Sequence, residues 1–191
     1  MQRIDEEKRK RIIAVAGKLF SERPFHEVRL EDVAAEAHIG KGTIYVYFRS
    51  KANLCQSLML DGMGEAIAEA RKQVQMEGLT SLQKIDRVLR SLTSIAGRYV
   101  YARSLELEVG RTAEYAQSFN EKRLEMFGIV EGVLREGIAS GEIDDPHPEI
   151  TARCLLASLR EFLFYPPVDV PADVLTDHMM AVLRQGILKH A

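Results

Sequence analysis

Tryptophan is absent from this 191-residue chain, cysteine occurs twice, and aromatic residues make up only 7%. The two cysteines, Cys55 and Cys154, stand far apart without CxxC or Cys/His spacing, so neither a disulfide framework nor a zinc site is indicated, and both are expected to be buried thiols. No apolar run approaches the roughly 18 residues that a membrane span requires. The opening "MQRIDEEKRK" has no signal-peptide core. A cytoplasmic chain with no membrane partner is expected. Charge of one sign is lacking too: 26 Lys and Arg face 28 Asp and Glu, which argues against whole-molecule electrostatic adhesion to nucleic acid. There is no strand-period alternation, no internal repeat, no glycine-rich phosphate loop behind a strand and no nucleophile motif. No catalytic residue, cofactor or metal site is therefore assigned, the acid-rich loop "DDPHPE" included.

What is present is helical periodicity, on 46% apolar content that suits a folded core. Residues 5 to 22 place Ile12, Ile13, Ala16, Leu19 and Phe20 on one stripe, and Pro24 ends it. A short helix follows through "EDVAAEA", then a tight turn at His38 to Lys41 and a new helix from Gly42 to Phe48. Further helices are predicted from about Ala52 towards Gln75, from Thr80 or Ser81 through Ala96, from Ala113 to Ala139, from Glu149 to Tyr165, and through a last stretch carrying Leu175 to Ile187. Leu124, Phe127, Val130, Val133 or Leu134, and Ile138 are expected on the inner side of the helix from Ala113 to Ala139. The fold class is all-α.

The average charge conceals an asymmetry. Residues 1 to 51 hold 11 Lys and Arg against 8 Asp and Glu, while the remainder is net acidic. The positive end contains "HIGKGTIYVYF", whose spacing suits the second helix of a helix-turn-helix: Val33, Ala37, Ile39, Ile44 and Tyr47 or Phe48 form the brace, and Lys41, Thr43 and Tyr45 point outward with Lys51 just beyond. A cation, a methyl-bearing hydroxyl and a phenol are good partners for phosphates, base edges and thymine methyls.

The stretch "KGTIYVYFRSK" resembles the N-terminal signature of the TetR family of bacterial transcription regulators, Lys-Gly-Thr-(Leu/Ile)-Tyr-x-(Tyr/His)-Phe-x-(Ser/Asn)-Lys, in a match covering about residues 8 to 60. The resemblance implies that Thr43 and Tyr45 contact bases or phosphates, that Lys41 opens the recognition helix, and that Tyr47 and Lys51 contact phosphate; Gly42 lets the backbone approach DNA. Two positions depart from the family pattern. Arg29 replaces the usual Thr at the start of helix 2, where it offers an ionic phosphate contact, and His38-Ile39-Gly40 replaces the usual Gly-Val-Ser of the turn, placing His where a left-handed backbone is called for.

Residues 1–51 are thus expected to form a helix-turn-helix DNA-binding domain, and residues 52–191 a helical effector-binding and dimerisation domain. Tyr99, Tyr101, Arg103, Phe119, Met126 and Phe127 are the candidate lining of a pocket for a small, mostly apolar effector. They would equally fill a helical core. Gly128 and Gly132, each costing about 1 kcal/mol in a helix interior, serve either close helix packing or space for a ligand. Leu155, Leu159, Phe162, Leu175, Met179, Val182 and Ile187 carry the apolar faces of the last two helices. These suit a four-helix bundle made from two subunits, where the resemblance also puts the dimer interface, or else packing within the chain. The expected function is a ligand-responsive regulator, binding a palindromic operator as a homodimer and repressing until a small molecule releases it. The alternative is a helical ligand-binding or protein-interaction module without sequence-specific DNA binding.

Overall fold

The computed structural model describes residues 5–97, 112–165 and 170–187. Among them are eight α-helices: α1 Glu6–Glu22, α2 Leu30–Glu36, α3 Lys41–Tyr47, α4 Lys51–Val74, α5 Ser81–Gly97, α6 Ala113–Ser140, α7 Pro148–Phe164 and α8 Ala172–Ile187, with a 3-10 turn at Phe25–Glu27. The described residues fall into two compact units, one of 5–63 with 112–118 and one of 64–97 with 119–165 and 170–187. The expected division at residue 51 is drawn by the motif; this one is drawn by packing, and α4 and α6 contribute residues to both units.

In the first unit each helix start has a local cause. The Asp5 carboxylate accepts the N–H groups of Glu7 and Lys8 at 3.1 and 3.2 Å, satisfying donors that a helix start leaves unpaired. Asp32, three residues into α2, reaches back to accept the Arg29 N–H at 2.9 Å. Ser50 Oγ accepts from Asn53 N at 3.1 Å, so the serine of the "SK" pair starts α4. The stripe read from the sequence is the core: Ile12, Ala16, Phe20, Val28, Val33, Ile44, Phe48 and Leu54 are all buried together. Full burial of side chains of this size stabilises by about 1.5–3 kcal/mol each, which is what holds so short a pair as α2 and α3.

In the second unit Leu82, Ile85, Val88 and Leu89 of α5 pack with Val130, Val133 and Leu134 of α6, with Ala152, Leu155 and Leu159 of α7, and with Met179, Met180 and Leu183 of α8. The start of α5 is closed from elsewhere in the chain: the Glu142 carboxylate, in the loop after α6, accepts the N–H groups of Ser81 and Leu82 at 2.8 and 3.1 Å. Burial opposes its ionised form, but these bonds outweigh burial and hold its pKa below the ordinary carboxylate value.

Three expectations are corrected. Cys154 is exposed, whereas Cys55 is buried. Leu124 is exposed rather than on the inner side of α6. Gly128 and Gly132 are exposed, and a Cβ at either would meet no atom within 4 Å, so close packing within the chain is not their cause. All four lie on outward arcs of α6 and α7, where residue type alone does not reveal which side of a mostly apolar helix faces the core.

Candidate nucleic-acid interface

The turn between α2 and α3 sets the reading head. His38 has φ 53°, the left-handed conformation anticipated for this position. His38 N–H donates to Ala35 O at 3.1 Å and Ile39 N–H to Ala34 O at 2.9 Å, the paired bonds of a Schellman ending with histidine in the place glycine usually takes. Ile39 then packs on the core and Ala34 is buried beside it, so the chain leaves α2 at a fixed angle. Gly40 starts α3, its carbonyl accepting Thr43 N–H at 2.8 Å.

Helix α3 buries Ile44 and, just past its end, Phe48, which turns Gly42, Tyr45 and Val46 outward with Lys41 at the leading edge. Tyr45 is 46% and Val46 49% exposed, side by side on the outer face of α3. Nothing inside the chain asks for glycine at position 42, since a Cβ there meets no atom within 4 Å. Thr43 is half-buried at the side of the same helix.

The remaining predicted residues are tied into the protein to different degrees. Tyr47 is half-buried against the core, and its hydroxyl accepts Asp5 N–H at 3.2 Å, leaving its own hydrogen to donate. Lys51 reaches inward: its Nζ donates to Phe25 O at 2.6 Å and lies 4.0 Å from the Phe25 ring centroid. Arg29 is exposed at the start of α2. In the first turns of α1, Arg9 pairs with Asp61 at 3.4 Å and Lys10 with Glu7 at 3.3 Å.

Two residues on this face escaped the sequence reading. Val46 is an apolar side chain in solvent, and the alternation of core and surface positions around Ile44 was a signal for it. Glu31, in the first turn of α2, accepts from Lys41 Nζ at 3.0 Å and from Tyr45 OH at 3.2 Å, both at the same oxygen. The lysine, more than the phenol, holds the Glu31 carboxyl below its ordinary pKa, and Glu31 in turn raises Lys41. No local pattern announces that contact, because it joins two helices.

The candidate effector residues are only partly placed. Tyr99, Tyr101 and Arg103 lie outside the described residues. Phe119 is half-buried, and Met126 and Phe127 pack against the second unit's core. The guanidinium groups of Arg123 and Arg153 stand 5.6 and 5.5 Å from the Phe127 ring centroid. A separate cleft of about 650 Å³ opens in the first unit among Arg49, Asn53, Gln56, Ser57, Tyr115 and Ser118, and among the described candidates neither Phe119, Met126 nor Phe127 lines it. Of the candidate interface residues, Leu155, Leu159 and Met179 are buried in the chain's own core, Phe162 and Leu175 are packed against it, and Val182 is 58% exposed. No described helix is long and apolar enough to cross a membrane.

A short helix with a cationic, hydroxyl-bearing outer face, braced by a second helix across a fixed turn, defines a helix-turn-helix DNA-binding protein. Residues 12–58 match the model of "bacterial regulatory proteins, tetR family". The chain is 31% identical over 136 residues to the fatty acid metabolism regulator protein of Bacillus subtilis (strain 168), covering 70% of each, and 27% identical over 161 residues to the HTH-type transcriptional regulator UidR of Escherichia coli (strain K12), covering 82% of this chain and 80% of that one. The crystal structure of the regulator FadR from Bacillus subtilis in complex with stearoyl-CoA superposes with a TM-score of 0.76 at 26% identity, over 93% of this chain and 98% of that one. The chain belongs to the tetR family of bacterial regulatory proteins. It is a ligand-responsive transcriptional regulator that acts on operator DNA as a homodimer.

Proposed function

We propose that the protein is a cytoplasmic repressor that is released from a palindromic operator by a long-chain acyl-CoA. The observation that carries the effector class is the likeness to a fatty acid metabolism regulator across 70% of both chains, together with the stearoyl-CoA bound by a solved relative. In this reading the N-terminal 51 residues read DNA and the rest binds the effector and dimerises. Lys41, Thr43 and Tyr45 meet base edges and phosphates, Arg29, Tyr47 and Lys51 hold the backbone, and Gly42 lets α3 settle close; the two α3 helices of a dimer enter major grooves about 34–36 Å apart. Phe119, Met126 and Phe127, with Tyr99, Tyr101 and Arg103, take the acyl chain.

The second copy docks on α7 and α8. Support comes from what those helices leave uncovered: Ile150, Cys154 and Ala157 on α7, and Val174 and Val182 on α8, are exposed at helical spacing. Phe162, Leu175 and Ile187 complete that interface, with Leu155, Leu159 and Met179 backing it from the core.

Linkage sets the size of the effect. An acyl-CoA releases DNA only by the ratio of its affinities for the free and DNA-bound forms, and operator DNA weakens acyl-CoA binding by the same factor. The test is fluorescence anisotropy of an operator selected from random duplexes, titrated with stearoyl-CoA, with CoA alone and with stearate. Release by stearoyl-CoA at concentrations where CoA has no effect is expected. Operator affinity untouched by any acyl-CoA would overturn the effector assignment while leaving the regulator in place.

A further inference from the structure

A carboxylate inside a DNA-reading surface needs a reason, because duplex DNA presents one phosphate charge per about 1.7 Å of its axis. Glu31 is such a carboxylate. It sits in the first turn of α2, and one of its oxygens accepts from both Lys41 Nζ, at 3.0 Å, and Tyr45 OH, at 3.2 Å. Those two side chains are the leading cation and the exposed phenol of α3, so the half-buried acid of α2 ties both of them from the neighbouring helix. As an ordinary exposed ion pair it would stabilise the fold by little. Its placement has larger consequences for recognition.

While Glu31 holds Lys41, the lysine cannot neutralise a phosphate without giving up its partner. On arbitrary DNA that exchange leaves a carboxylate facing the polyanion with its cation gone and Tyr45 OH as its remaining side-chain donor. On the right sequence it need not. Acidic side chains in the major groove accept from the N4 amino group of cytosine, the donor that distinguishes this base there. We propose that Glu31 is a specificity-determining residue of the operator surface: it restrains Lys41 and Tyr45 in the free protein, disfavours non-specific DNA, and accepts a hydrogen bond from a cytosine amino group in each half-site. This rests on the assignment of α3 as the recognition helix.

The test is selection of duplexes from a random pool by the full-length wild-type protein and by Glu31→Gln, with affinity for unselected DNA measured between 50 and 200 mM salt, as in counterion-release measurements. Glutamine keeps the shape, loses the charge, and favours adenine through its paired donor and acceptor. The wild type is expected to enrich cytosine at one position of each half-site and the variant to lose that preference or move it to adenine. The variant should also bind unselected DNA about tenfold tighter at 50 mM salt, with a salt slope steeper by about one as Lys41 gains a phosphate, at unchanged Tm. The same consensus and the same slope from both proteins would overturn the proposal and leave Glu31 a surface ion pair. Enrichment of no duplex by the wild type would instead overturn the reading of the recognition helix, and this inference with it.

Discussion

Lys51 is bonded to Phe25 twice over, through a 2.6 Å hydrogen bond to its carbonyl and through its ring, 4.0 Å away. A residue read from the sequence as a phosphate contact therefore also fastens the start of α4 to the turn after α1. Lys51→Met should lower Tm by roughly 2–4 °C, about 1 kcal/mol, in the absence of DNA. A Tm equal to wild type would show that the lysine serves DNA alone.

Gly42 separates folding from recognition. Its exposed position near the start of α3 has room for a methyl group, so Gly42→Ala should stabilise the protein by up to about 1 kcal/mol. If DNA backbone comes close to this turn, the same change weakens operator binding about tenfold, roughly 1.4 kcal/mol. Melting and anisotropy on one preparation check both signs; tighter melting with unaltered affinity would remove Gly42 from the interface.

His38 pays a conformational penalty at φ 53° that glycine would not. His38→Gly is expected to gain about 0.5–1 kcal/mol in a denaturant titration, with operator affinity retained. A loss of stability would mean that the imidazole makes up for its backbone.

Glu142 has a folded-state pKa below its unfolded value near 4.3. Its stabilisation is therefore fully present above that unfolded value and disappears as pH falls through the lower, folded one. Glu142→Gln should cost about 1–2 kcal/mol at neutral pH. The Tm gap to wild type should stay constant from about pH 8 to 5 and close below about pH 4. A gap that persists in acid would point to shape rather than charge.

Val182 tests the second copy's docking face. Val182→Arg replaces an apolar side chain that is 58% exposed. Sedimentation should show dimer association at least about tenfold weaker, a change of roughly 1.4 kcal/mol or more. Unchanged association would move the interface off this stripe of α8.

Local signals carried the reading head. The stripe from Ile12 to Phe20, the turn at His38 and the stretch from Lys41 to Phe48 are encoded within a few residues each, and each lies within two residues of the expected place. What joins distant parts of the chain was not legible. Glu31 meeting Lys41, Lys51 turning to Phe25, and Glu142 closing α5 depend on how helices meet, and periodicity is silent about that. The same limit explains Leu124 and Cys154, which sit on helices whose apolar residues spread over more than one side.

Two bare glycines in the middle of α6 have a mechanical consequence. Gly128 and Gly132 are helical, yet no side chain covers the backbone there, and together they weaken the helix by about 2 kcal/mol relative to alanine. A 28-residue rod is thereby given a compliant middle. Its amide hydrogens near these glycines should exchange with solvent ahead of those in the flanking turns, and a bend in α6 would be cheapest at that point.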